Sequence, residues 1–410
     1  MTNLAWPLRT LKLGLKSVFC FAQDMYFARL IRRHPPIDAN SGLNLIGYYR
    51  ADLGLGEALR YLAHALSCAH IPFLVRKFSP QLRASQTNIS LVSHEASHCS
   101  HPINCIAINP DMLRRLPRWL RYAEWAQRYN IAYWFWELEH FPRAWEYILP
   151  LIDEIWVNTE FNAKTMRAVH PCVTKVPFAI EFARPSSRLN RAYFGLPQNT
   201  TLFLNSFDFH SSIERKNPQA TIAAFLQAFP NQDTPVTLLI KSTNGPAHQE
   251  KFNALKKLAQ QDARILFLDR QLGEEEKHAL LKAADCYVSL HRSEGLGLGL
   301  AESMYLGKAV IGTNYSGNVE FMNSHNSALI DFTLVPVEPG QYPHATGQAW
   351  AQANMEQAVA MMQKMVSDPS WRNALGAQAA LDMRTNHSFA VMGEAIARRL
   401  TQIQEMKAAQ

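Results

Sequence analysis

Two carboxylates, Glu294 and Glu302, bracket the stretch of this chain with the clearest chemical potential, Glu-Gly-Leu-Gly-Leu-Gly-Leu-Ala-Glu. A strand-like run, residues 285–291, leads into it. A helix-like run through Ser303, Met304, Tyr305 and Leu306 follows and is stopped by Gly307. The pattern predicts a buried strand, a turn on glycines and the start of a helix. Glycines let the backbone come close to a ligand, and the free N–H groups of a first helical turn attract phosphate. Carboxylates suit sugar hydroxyls. Such a turn would cradle a sugar nucleotide.

The elements that must hold this turn fall into two blocks of alternating strand and helix signals. The first opens with Leu43-Asn44-Leu45-Ile46-Gly47-Tyr48, then a glycine turn and a helix-like region over residues 57–68. Apolar runs follow at residues 106–108, 131–136 and 154–157. In a strand, Trp134 and Trp136 would share one face while Tyr133 and Phe135 take the other. The second block starts near Thr201 and continues through apolar runs at 236–240, 265–268, 286–290, 309–311 and 328–330, with helical patterns at 219–229 and 274–284. Alternation of this kind predicts parallel sheets covered on both faces, two Rossmann-like units in all. Residues 181–197, rich in Pro, Ser, Arg and Asn, read as a hinge. After Trp371 the pattern is helical, with Met392, Ile396, Leu400 and Ile403 on one face. Two facing units leave a cleft at the carboxyl ends of their strands, where the glycine turn falls.

The 410 residues suffice for two domains with full cores. With 48% apolar and 18% charged residues the chain is of ordinary globular composition. No run of ~20 apolar residues predicts a transmembrane helix. Lys12 and Lys16 interrupt the one candidate signal-peptide core, residues 11–22, and six scattered cysteines form no disulfide framework, so a cytoplasmic location is expected. The net charge of +7 favours anionic partners, although nucleic-acid modules are missing and nucleic acid is not expected. Arg9, Lys12, Lys16, Arg29, Arg32 and Arg33 are interleaved with Trp6, Phe19, Phe21 and Tyr26. This amphipathic segment reads either as contact with an anionic membrane surface, peripheral on its inner face, or as a helix packed on the first domain.

With Glu294-x7-Glu302 the chain resembles the retaining glycosyltransferases of family 4, which have the GT-B fold. Ser316-Gly317-Asn318-x-Glu320-Phe321-Met322 follows one strand later, as in a bacterial subset of that family. Glu214-Arg215-Lys216-Asn217-Pro218 precedes the first helix of the second domain. Tyr133-Trp134-Phe135-Trp136-Glu137, Asp153-Glu154-Ile155-Trp156 and Tyr342-Pro343-His344 with Trp350 also look like this subset. The resemblance implies an α/β GT-B fold, two Rossmann-like domains facing across a cleft, with the C-terminal helices returning to the first domain. The domain bounds it implies are a basic segment at 1–40, an acceptor-side domain at 41–182, a hinge at 183–198, a donor domain at 199–384 and a returning helix at 385–410.

The resemblance also assigns roles. Glu302 would bind the ribose and Glu294 would sit beside the donor sugar. The amides around Leu296, Gly297 and Leu298 would meet sugar and diphosphate, and Lys216 would neutralise the leaving diphosphate. Gly54-Leu55-Gly56-Glu57 matches the family's glycine loop, with Gly54 and Gly56 closing over the donor. Many relatives carry an arginine shortly after the first strand of the donor domain. Here that stretch reads Phe207-Asp208-Phe209, and Arg215 is the candidate to supply its charge. Glu137 and His140, with Glu139 between them, are acceptor-side candidates for orienting or deprotonating a hydroxyl.

The implied activity is transfer of a hexose, mannose by first expectation, from GDP-mannose or a UDP-sugar to a polysaccharide or lipid-linked oligosaccharide, as in lipopolysaccharide biosynthesis. Alternatives are an inactive GT-B binding subunit, or a phosphorylase or epimerase on the same scaffold. A metal-chelating Asp-x-Asp is missing from the sequence, so neither metal nor other cofactor is expected. His94, His98, Cys99, His101 and Cys105 lack zinc-site spacing and read as a loop entering a strand.

Overall fold

The computed structural model describes residues 37–38, 41–78, 85–113, 120 and 122–408. The expectation of a basic amphipathic N-terminal segment, and the candidate signal-peptide core within it, lie outside the described residues.

Apolar, β-rich runs become strands of a parallel sheet, the central ones buried on both faces. In the first domain these are β1 (Leu43–Gly47), β2 (Phe73–Lys77), β3 (Ile103–Ala107), β4 (Tyr129–Tyr133), β5 (Glu154–Val157) and β6 (Val173–Lys175), with α1 (Gly54–Cys68) and α2 (Glu160–Arg167) between them. They form one sheet in the order β2-β1-β3-β4-β5-β6, every pair parallel. The strand β4 ends at Tyr133, so Trp134 to Trp136 run on as extended chain. The two-sided alternation survives past the strand end. Trp134 and Trp136 enter one core cluster, and Tyr133 and Phe135 another.

The second domain contains β7 (Thr201–Asp208), α3 (Ile213–Lys216), α4 (Pro218–Ala228), β8 (Val236–Thr243), α5 (Gln249–Ala259), β9 (Ile265–Asp269), α6 (Glu274–Ala283), β10 (Cys286–Ser289), α7 (Leu298–Tyr305), β11 (Ala309–Thr313) and β12 (Ala328–Ile330). Its sheet runs β12-β11-β10-β7-β8-β9, again parallel throughout. Strand order reverses between β10 and β7, a switch point that opens a crevice at the carboxyl ends of the strands.

An antiparallel hairpin follows, β13 (Phe332–Pro336) with β14 (Ala349–Ala353), which the apolar pattern does not single out. It crosses to the other domain. Trp350 is fully buried in the first domain's core beside Trp134, Trp136 and Ile148. The Gln348 side chain brackets the His140 backbone, accepting from its N–H at 3.2 Å and donating to its carbonyl at 2.8 Å. Truncating a side chain as buried as Trp350 to alanine costs about 3–5 kcal/mol.

The chain closes with α8 (Met355–Ser367), α9 (Pro369–Asn386) and α10 (Phe389–Ala408). Met392, Ile396 and Ile403 of α10 are buried in the first-domain cluster that holds Leu59, Leu62 and Leu66 of α1. Gly393 lets the helices touch, since a Cβ there would lie 2.5 Å from the Ala65 carbonyl oxygen. The last helix thus returns to the first domain. No described helix is long and apolar enough to cross a membrane.

Candidate functional site in the interdomain cleft

Between the domains lies a cavity of about 1210 Å³. The glycine turn forms one wall. Its backbone requires glycine at Gly297, where φ is +94°, a left-handed conformation that side chains disfavour. Gly297 is the N-cap of α7, so the first amides of that helix face the cavity beside Leu296 and Leu298. Ser316 and Asn318 support the turn from behind. The Ser316 hydroxyl accepts from the Glu294 N–H at 2.8 Å, and Asn318 Oδ1 is 2.9 Å from His291 Nε2.

A first charge cluster gathers at the mouth of the turn. Lys216, at the end of α3, donates to Glu294 Oε1 at 2.5 Å. Arg215 reaches Glu294 Oε2 at 3.1 Å, donates to the Ser293 carbonyl at 2.8 Å and lies 3.8 Å from Glu137 Oε1. Ser212, capping α3 through the Arg215 N–H, sets the direction of both cations. Glu137 also accepts from the Tyr342 hydroxyl at 2.6 Å, and its carbonyl accepts from Ser293 Oγ. Burial alone would raise the Glu294 carboxyl, but Lys216 and Arg215 overcome it and hold the group down at about 2. Burial draws the Lys216 ammonium below its ordinary range despite Glu294. Glu294 is therefore anionic at neutral pH, and a cation beside it stands ready for a second anion.

A second cluster lies one helical turn or more along α7. Lys277 of α6 donates to Glu302 Oε1 at 2.7 Å and to Glu57 Oε1 of the first domain at 2.6 Å. His278 Nε2 stands 3.6 Å from the same Glu302 oxygen, its ring stacked on Phe182. Burial would raise the Glu302 carboxyl, and Lys277 with His278 brings it down to about 2. For Glu57 burial wins, and its carboxyl is raised. Burial would lower Lys277, yet the two carboxylates push it above its usual range. Among the described residues, Glu57, His278 and Glu302 place ligand-type atoms within 4.8 Å of one another. The Lys277 ammonium is bonded to both carboxylates and supplies their counter-charge, while the buried His278 Nε2 has no hydrogen-bond partner among the described residues.

Of the residues singled out in the sequence, Glu294, Lys216, Arg215, Glu302, Leu296, Gly297, Leu298, Gly54 and Glu137 all line this cavity. Two others stand elsewhere. Gly56 is pressed on the preceding turn, where a Cβ would meet the Ala51 carbonyl oxygen at 2.4 Å, so glycine is needed there for packing. The glycine pair does not precede the helix as expected. It forms the first turn of α1, and only Gly54 faces Leu298 across the cleft. His140 is exposed outside the cavity and engages Gln348 through its backbone. Glu139 accepts from Tyr315 at 3.2 Å. Glu320 leaves the site altogether, bonding Lys175 at 2.6 Å and the Glu160 N–H at 2.8 Å as an interdomain tie. Cys105 lies in β3, wholly buried, and His94 stacks on Phe73. Sequence reading missed Glu57, Lys277 and His278. Glu57 closes the glycine-loop motif but was given no role, and the one linear signal of Lys277 and His278 was a charged first half of α6, which resembles any solvated helix.

Residues 209–382 match the family described as Glycosyl transferases group 1. Solved structures similar to the whole chain include HepE of Anabaena in complex with UDP and glucose, at TM-score 0.61 and 13% identity, covering 88% of this chain and 100% of that one. Sucrose-phosphate synthase of Thermosynechococcus elongatus aligns at TM-score 0.62 and 16% identity, covering 90% and 100%. WaaG, a glycosyltransferase involved in lipopolysaccharide biosynthesis, aligns at TM-score 0.57 and 13% identity, covering 88% and 99%. None of the curated proteins matches the sequence. The architecture is GT-B, two Rossmann-like domains across a cleft.

Proposed function

We propose that this chain, whose residues 209–382 match glycosyl transferases group 1, is a glycosyltransferase that moves a hexose from a nucleoside diphosphate sugar to a glycan or lipid-linked acceptor. The observation that carries the reading is the buried Arg215–Lys216–Glu294 cluster at the start of α7. Breaking a glycosyl–phosphate bond places negative charge on the departing diphosphate and positive charge on the anomeric carbon. Preorganised cations and amides stabilise that separated charge more than the intact donor. Lys216 and the first amides of α7 would take the diphosphate. Glu294 would accept hydrogen bonds from the sugar hydroxyls and offset the charge at the anomeric centre. Glu302 would hold the ribose, and Glu137 is the acceptor-side carboxylate.

The group 1 match is compatible with the narrower family 4, and retention at the anomeric carbon rests on the likeness of the Glu294-x7-Glu302 turn to that family. UDP-sugars are the first donors to try, because HepE is solved with UDP-glucose. GDP-mannose is the alternative. The deciding experiment screens sugar nucleotides for enzyme-dependent nucleotide release and reads the product anomer by NMR. Release from none of them refutes the donor reading, and an inverted product refutes retention. Association with an anionic membrane surface would bring the cleft to lipid-linked acceptors. Sedimentation with anionic vesicles tests it: binding unchanged after deletion of residues 1–36 rejects a role for that segment.

A further inference from the structure

One buried cation in the cleft has no counterpart in the two clusters. Lys241 lies on β8, opposite Ser206 of β7 and Leu268 of β9. It is 8% exposed and lines the cavity. Neither a hydrogen bond nor an ion pair engages its ammonium among the described residues, although Asp269, Asp208, Lys277 and Arg270 are its charged neighbours. Each nearby carboxylate has one oxygen engaged by another donor. Asp269 Oδ1 accepts from Ser242 Oγ at 2.7 Å, and Asp208 Oδ1 accepts from Asn244 Nδ2 at 2.8 Å. Burial draws Lys241 down to about 8, those acids only partly offsetting it. A lysine held this way costs the empty protein stability, because its desolvated charge is only partly compensated.

Its place along the cleft narrows what could complete it. Glu294 follows β10, Lys216 follows β7, and Lys241 belongs to β8, in that spatial order. Adjacent strands are about 4.8 Å apart, so Lys241 lies roughly 10 Å across the sheet from the strand carrying Glu294. Its face of β8 also carries Leu239, packed with Leu280, Leu296 and Leu300 from the segments that hold Glu302. Beyond it, Gln271, Leu272 and Gly273 complete the wall. A nucleotide with its sugar at Glu294 and its ribose at Glu302 would carry its base toward Lys241.

An ammonium has three donors and no acceptor. It fits a ring carbonyl oxygen and opposes an exocyclic amine.

We infer that Lys241 is a base-selecting residue of the donor site, donating to a carbonyl oxygen of an oxo-base such as uracil or guanine and disfavouring adenine. The inference rests on the donor reading above. It is tested by calorimetric titration of the full chain with UDP, GDP and ADP, for the wild type and Lys241→Met. The wild type should bind UDP or GDP at least tenfold more tightly than ADP. Lys241→Met should lose about tenfold for the preferred nucleotide and change little for ADP. Equal losses for all three would place the ammonium on phosphate or ribose and overturn base selection. Unchanged affinities would also overturn it.

Melting without nucleotide supplies an independent readout. Replacing a partly compensated buried charge with an apolar isostere should leave the melting temperature level or raise it, whereas a fall would mark Lys241 as a structural cation and reject the inference. A wild type that binds none of the three nucleotides defeats the donor reading itself. Binding by the wild type with an insensitive Lys241→Met defeats only the present inference.

Discussion

At one end of the cleft two cations, Arg215 and Lys216, face the carboxylates of Glu294 and Glu137. At the other, one cation, Lys277, lies between the carboxylates of Glu57 and Glu302. Both clusters are largely buried, and both draw one carboxylate from each domain. They differ in what is left over. Lys216 and the amides of α7 can turn to a new anion without stranding Glu294, because Arg215 still pairs with it. At the second end the surplus is acidic, which suits hydroxyl donors and repels phosphate. Under the proposed function, electrostatics would orient a sugar nucleotide with its diphosphate toward the first cluster and its ribose toward the second.

The sharpest way to break this comparison is at the first cluster. Lys216→Met should lower kcat by about 100- to 1000-fold with a much smaller change in donor affinity, as steady-state nucleotide release would show. If affinity alone fell, Lys216 would be a binding group and the two ends would do the same kind of work. Glu302→Gln should instead weaken nucleotide binding by about tenfold, measured by calorimetry, with turnover at saturation largely kept.

Protonation separates the role of charge from that of shape. Glu294 titrates at about 2 in the folded protein, against an ordinary value of 4.5. The unfolded chain then binds more protons than the folded one between those values, so stability from this cluster is complete above about 4.5 and drains away as pH falls toward 2. Thermal melts across that window should show a shallower acid loss in Glu294→Gln than in the wild type. An identical slope would mean that Arg215 and Lys216 do not hold the carboxylate.

The smallest effect is expected at Glu57→Gln, which loosens the tie between α1 and α6 without touching sugar or diphosphate. Donor KM should rise about threefold with kcat unchanged, since one partly exposed ion pair contributes little.

Much of the first cluster was legible in the chain because its parts are local. Glu294 and the glycines lie within a single turn, and Arg215 and Lys216 are neighbours. Strand-to-helix periodicity placed that turn at the carboxyl end of a strand for the same reason. Of the second cluster only Glu302, which closes the same motif, was legible. Glu57 and Lys277 are 220 residues apart, and neither stretch marks the other. Glycine at 56 read as a ligand loop because a packing glycine and a ligand-facing glycine look alike until the Ala51 carbonyl is seen against it. The hairpin carrying Tyr342 and Trp350 was visible only as scattered aromatics, since its apolar partners belong to the other domain.

Taken by itself, the order of residues determined the two α/β units, the glycine turn with its paired acids, and the amphipathic last helix. All three depend on side-chain period and on backbone permissions that act over a few residues. Only the tertiary structure decided which domain supplies the counter-charge, that Lys277 joins Glu57 to Glu302, that His140 and Glu320 leave the cleft, and that Lys241 is buried within it. Ion pairing and desolvation are set by distances through space, and those distances exist only once the two sheets have closed on each other.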